Sequence, residues 1–150
     1  MKFRLLKAVS LCAMLATPSF VYAVNNIEVW KSPTCGCCNF WIDHLKQHGF
    51  NVTANDTGNA HIHNTLQLKP KLQACHSAVV DGYLIEGHVP AQDIERLLKE
   101  KPADAVGLIV PEMPLGSPGM DQPKHMGHKD KYDVLLLKKD GTTTIFNSYN

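Results

Sequence analysis

The chain has 150 residues, with 15 Lys and Arg against 14 Asp and Glu, a formal charge of +1 and 44% hydrophobic residues. This near-neutral balance, without a basic stripe interleaved with aromatics, argues against a nucleic-acid surface. The length suits one domain with a single modest core.

Residues 1–23 read as a signal peptide. Lys2, Arg4 and Lys7 make a basic start, Ala8 to Val21 forms an apolar core, and Val21-Tyr22-Ala23 places cleavage after Ala23. The apolar run is too short for a comfortable membrane span, so no stable membrane insertion is expected. Cys12 lies within it, but Leu11 stands where a lipoprotein box needs a small residue. Loss of residues 1–23 leaves 12 basic against 14 acidic side chains, a net charge of −2.

The first element is a buried strand over 26–31. A helix from about Cys35 to His48 follows, with Cys38, Trp41, Ile42 and Leu45 on one apolar stripe and Gly49 as its stop. A weak strand, 51–56, and a polar helix, 59–68, precede Pro70. Ser77–Val80 and Tyr83–Glu86 flank Asp81-Gly82, the signal of a type I′ hairpin. Pro90 starts a helix whose buried face is Ile94, Leu97 and Leu98, ending at Pro102. A Pro/Gly/Met segment, 110–127, leads to a final hairpin, 134–138 and 142–146, turned by Asp140-Gly141.

This order is the thioredoxin-like layout: an α/β domain over 24–103, carrying a C-terminal Met/His-containing extension, 104–150, packed on the same domain. In such a sheet the ends of the first and fourth strands meet the start of the third. The layout therefore predicts that Cys35–Cys38, Cys75-His76 and Gly87-His88 share one rim. Strand alternation points His76 across the sheet. His44, His48, His61 and His63 are expected at the surface, and Trp30 and Trp41 in the core.

Thr34-Cys35-Gly36-Cys37-Cys38 carries the chemistry. Three thiols in four residues exceed what a disulfide needs, and crowded thiolates favour a soft metal, above all Cu(I), and can bridge several ions. The helix start favours thiolate, which serves both as nucleophile and as ligand. Cys35 and Cys37 are too close for a zinc knuckle, and the spacing matches no iron–sulfur motif. Two readings stay open beside the metal: thiol–disulfide exchange, since Cys35 and Cys38 have C-x-x-C spacing, and a structural bridge. Met113, Met120, His125, Met126 and His128 sit among prolines and glycines where no helix forms, so they are candidate soft or borderline ligands, as is His88.

Val29–Cys38, Cys75–Tyr83, Glu86–Pro90 and Met113–Met120 resemble the CopG-type copper-resistance proteins, exported proteins of Gram-negative bacteria. The resemblance spans essentially the whole mature chain. It implies a periplasmic protein with a cysteine-bridged multinuclear copper site interconverting Cu(I) and Cu(II), a copper-dependent oxidoreductase chemistry. Carried over onto this sequence, Cys35, Cys37 and Cys38 fill the C-x-C-C motif, Cys75 the Cys-His block, and Met113 and Met120 the methionine motif. Ordinary thioredoxins place a cis-proline where this chain has Cys75-His76-Ser77, which weakens the case for protein-disulfide exchange. The alternatives are a copper chaperone or store without redox turnover, or a thiol–disulfide oxidoreductase. Copper ions are the expected partners of a monomer, with copper-efflux or electron-transfer proteins as candidate protein partners.

Overall fold

The computed structural model describes residues 25–121 and 127–150. The signal-peptide reading, and His125 and Met126, lie outside the described residues.

The chain folds as a mixed α/β protein around one seven-stranded sheet of order β2-β1-β3-β4-β5-β6-β7. Its strands are β1 (Asn26–Lys31), β2 (Asn51–Asn55), β3 (His76–Val80), β4 (Tyr83–Glu86), β5 (Ala105–Ile109), β6 (Tyr132–Lys138) and β7 (Thr143–Tyr149). The helices are α1 (Gly36–Gln47), α2 (Ala60–Thr65) and α3 (Ala91–Glu100), with a 3-10 turn at Pro70–Leu72. β1 runs parallel to β2 and antiparallel to β3, and β3 antiparallel to β4. Asp81 and Gly82 both take positive φ, 48° and 82°, as a type I′ turn requires. No described helix is long and apolar enough to cross a membrane.

Strand alternation sorts side chains into two apolar layers. Ile27, Val29, Ala78, Val80, Ile85 and Leu108 face α1 and α3, where Trp41, Leu45, Ile94 and Leu97 complete the main core. Leu84, Ile109 and Leu137 face the other way, under Ile62 of α2, Leu68 and Leu72. Trp41 is fully buried and its indole N–H donates to Val89 O at 2.9 Å, whereas Trp30 is half-buried and edge-on to His61.

Three elements differ from expectation. The polar helix is shorter than 59–68, because Gln67 turns left-handed at φ 48° and Leu68 N–H bonds back to His63 O. Pro70 opens the 3-10 turn instead of following a helix. β5 is a strand over residues to which the sequence reading assigned no element; it pairs parallel to β4 and lets β6 and β7 extend the sheet.

Candidate metal centre

The expected rim exists. Cys35 is the N-cap of α1, Cys37 and Cys38 lie in its first turn, and Cys75 occupies the bend before β3. Cys35 and Cys38 form a disulfide, leaving Cys37 and Cys75 as free thiols. Each free thiol faces one sulfur of the bridge: Cys37 Sγ is 3.6 Å from Cys35 Sγ, and Cys75 Sγ is 3.5 Å from Cys38 Sγ. One ligand atom from each of the four cysteines lies within 4.8 Å of the others. Residues 37 positions apart thus converge because β3 is antiparallel to β1, the strand that feeds α1.

A second group, Cys75, His76 and His88, meets the first at Cys75, again with ligand atoms within 4.8 Å of one another. Both imidazoles are fully buried and each has one nitrogen committed to a carbonyl. His76 Nε2 donates to Gly87 O at 2.9 Å and His88 Nδ1 donates to Pro118 O at 2.8 Å. The other nitrogens are therefore unprotonated lone pairs. His76 Nδ1 lies 3.5 Å from Cys75 Sγ, and among the described residues the buried His88 Nε2 has no hydrogen-bond partner. A carbonyl bond to one ring nitrogen fixes the tautomer that offers the other to a metal.

Electrostatics agree. Burial, then His88 and Lys31, lowers the pKa of His76 to about 3, and burial lowers that of His88. Both are neutral at physiological pH, the form that ligates. Burial, followed by Cys37 and then Glu86, raises the Cys75 thiol to about 12, so it keeps its proton until a cation displaces it.

His76 corrects the sequence reading. Alternation from Cys75 had pointed it away, but Cys75 precedes the ladder, whose first pair is Lys31 with His76. His76 instead packs on Trp41 of α1, ring centroids 4.4 Å apart, on the same side as the cysteines. The Cys-His doublet was the signal that could have found it. His63 also departs from expectation: it is largely buried and paired with Glu86 at 2.8 Å. His44 is half-buried and its Nε2 accepts the Ala91 N–H.

The extension reaches the site at one turn. Gly119, at φ 85°, lies so close to α1 that an added Cβ would be 2.7 Å from Trp41 N and 2.9 Å from Cys37 O. This turn carries Pro118, the partner of His88, and Met120, which is half-buried. Met113 is 50% exposed and lines an open groove with Glu112, Asp130, Tyr132 and Asp133, none of them a member of the sulfur cluster. His128 is exposed and bonds Asp130 at 3.1 Å.

The donor set suits a soft cation. Once the Cys35–Cys38 disulfide is reduced, four thiol sulfurs and two imidazoles stand in two donor groups that share Cys75, and among the described residues His88 Nε2 has no hydrogen-bond partner.

A family described as "Protein of unknown function, DUF411" matches residues 72–120, the stretch holding Cys75, His76, His88, Met113 and Met120. The curated proteins offer no match. Among solved structures, "Copper resistance protein copG- Form 2" is 37% identical with a TM-score of 0.77, covering 85% of this chain and 100% of that one. The Form 1 structure of the same title is 38% identical, with a TM-score of 0.76, and covers 85% and 98%. Identity at this level over the full length of a solved chain reaches past a shared fold: the chain belongs to the CopG copper resistance family.

Proposed function

We propose that this is an exported, periplasmic copper-handling protein in which Cys35, Cys37, Cys38 and Cys75, joined by His76 and His88, hold a small multinuclear copper site. The observation that carries the reading is the convergence of two donor groups on one shared residue, Cys75. Reducing the Cys35–Cys38 disulfide frees all four sulfurs, enough for several ions to share thiolates. Bound copper would supply one-electron chemistry between Cu(I) and Cu(II), the basis of an oxidoreductase role in copper resistance. The protein's part is to present unprotonated nitrogens, exclude bulk water through the buried histidines, and close the rim with the 117–120 turn. Met120 lies in that turn and joins the proposed ligand set; Met113, His125, Met126 and His128 are the extension's further candidates.

The order of elements from β1 to α3, with β1 and β2 parallel and β3 and β4 antiparallel, supports a thioredoxin-like domain over 24–103 bearing the extension 104–150. Cleavage after Ala23 fits the family's association with copper resistance.

Anaerobic titration of the reduced mature protein with Cu(I) tests the reading. More than one copper per chain is expected; saturation at one leaves a mononuclear chaperone instead. The Cys35–Cys38 disulfide itself favours a second reading, thiol–disulfide exchange. That reading predicts that Cys37→Ser leaves disulfide reductase activity intact. The cluster reading predicts that Cys37→Ser loses copper as Cys35→Ser and Cys38→Ser do.

A further inference from the structure

We propose that Glu86 is a positioning residue for Cys75, acting across the sheet from the copper side through a clamp on Ala74; the inference rests on the metal-site reading above. Glu86 ends β4 and points to the α2 layer, where it is wholly buried. Its carboxylate accepts three hydrogen bonds. Ala74 N–H donates to Oε1 at 2.6 Å, His63 Nε2 donates to Oε1 at 2.8 Å, and the Ser77 hydroxyl donates to Oε2 at 2.5 Å.

Asn59 completes the clamp. Its amide donates to Ala74 O at 3.1 Å and to Ser77 Oγ at 3.0 Å. Ala74 is thereby held at its N–H by Glu86 and at its C=O by Asn59. Its methyl lies close over Gly87, where an added Cβ would come within 3.1 Å of Ala74 Cβ.

The consequence falls on the next residue. Cys75 lies outside the β1–β3 ladder, which starts at His76, so strand pairing anchors its backbone on one side only. The clamp on Ala74 anchors the other side. Between these two anchors Cys75 Sγ is held 3.5 Å from Cys38 Sγ of a different element. A buried carboxylate is a costly means of filling space, and apolar residues of similar volume often stabilise a fold as well or better. A fully satisfied network does what apolar packing does not: it fixes two backbone groups in direction as well as in place.

The test compares Glu86→Gln, Glu86→Ala and Asn59→Ala as full mature chains, reduced and metal-free. Iodoacetamide labelling is read at each cysteine by peptide mass spectrometry, with Cys37 as the internal reference. Gln keeps an oxygen for the Ala74 N–H and an amide that the Ser77 hydroxyl can accept from, so its Cys75:Cys37 labelling ratio reports only the lost Glu86 charge and should rise little. Glu86→Ala and Asn59→Ala should raise the ratio several-fold. After Cu(I) loading and oxidation, their thiolate-to-copper absorption bands should shift while the Gln variant's do not.

Asn59 is only half-buried, so its variant remains informative if Glu86→Ala does not fold. An Asn59→Ala protein with wild-type melting, labelling ratio and spectrum would overturn the inference. A uniform rise at both Cys37 and Cys75 would also overturn it, since that is general loosening. Wild-type protein that binds no copper would remove the metal reading, while the labelling ratio would still decide whether the clamp positions Cys75.

Discussion

At the scale of single residues, the site is explained by which atoms are already spoken for. His88 commits Nδ1 to Pro118 and leaves Nε2 buried and, among the described residues, unpartnered, a state that costs the fold and that a bound cation would relieve. Replacing His88 with Ala should weaken Cu(I) binding by at least about tenfold. By ligand linkage this removes about 1.4 kcal/mol of copper-induced stabilisation, measurable as a smaller rise in melting temperature on loading. An equal copper-induced rise in both proteins would show that His88 is not a ligand. Trp41 is the complementary case, a side chain whose polar atom is satisfied: Trp41→Phe strands the buried Val89 carbonyl and should cost about 1–3 kcal/mol in denaturant unfolding with no change in copper stoichiometry. That the cysteines and His88 share one rim was legible in the sequence because sulfur crowding and strand order are both visible there. His76 and His63 were not, because their roles depend on where a bend ends and a ladder begins, and on a carboxylate partner 23 residues away from His63.

At the scale of elements, β1, α1 and the β3–β4 hairpin were readable because their apolar spacing and turn residues agree with their tertiary surroundings. β5 was hidden for a physical reason. Gly107 at its centre weakens the strand signal, yet a Cβ there would lie 1.8 Å from Leu84 O of β4, so the glycine marks a close backbone approach between strands. The same logic makes a prediction for the extension. Gly119 combines φ 85° with the tight approach to α1, so Gly119→Ala adds both backbone strain and a collision with Trp41 N. The cost should reach about 1–3 kcal/mol, and the 117–120 turn should lift from α1, taking Pro118 from His88. Hydrogen exchange should quicken for the Met120 N–H, which bonds Ser117 O, while the β1–β3 ladder stays protected. Unchanged exchange at Met120 would mean that the turn does not depend on this packing.

At the scale of the whole molecule, the last hairpin is tied to α3 as well as to the sheet. Tyr149 of β7 donates to Asp93 Oδ2 at 2.7 Å and stacks on Tyr132 of β6 with ring centroids 4.8 Å apart; Asn147 donates to the other Asp93 oxygen, Oδ1, at 2.8 Å. Arg96 lies 3.6 Å above the Phe146 ring and bonds its carbonyl at 2.8 Å. These contacts join a helix from the first part of the chain to its final strand, so their loss should be felt as global stability. Burial and then the Asp93 hydrogen bond and charge raise the Tyr149 phenol to about 12, and burial, Tyr149 and Asp93 raise Tyr132 as well. In the unfolded chain a tyrosine releases its proton near pH 10. Between about pH 10 and 12 the folded state therefore holds a proton that the unfolded state has lost, and stability must fall as pH rises through that window. Below pH 10 both states are protonated and this contribution is present in full. Denaturant unfolding from pH 8 to 12 should show a plateau followed by a decline. Tyr149→Phe should lower the plateau by about 1–2 kcal/mol, because Asp93 loses a donor, and should make the decline shallower, because one of the two raised phenols is gone. A decline of the same steepness in the variant would assign the alkaline loss to other groups and leave the hairpin–helix contact without this role.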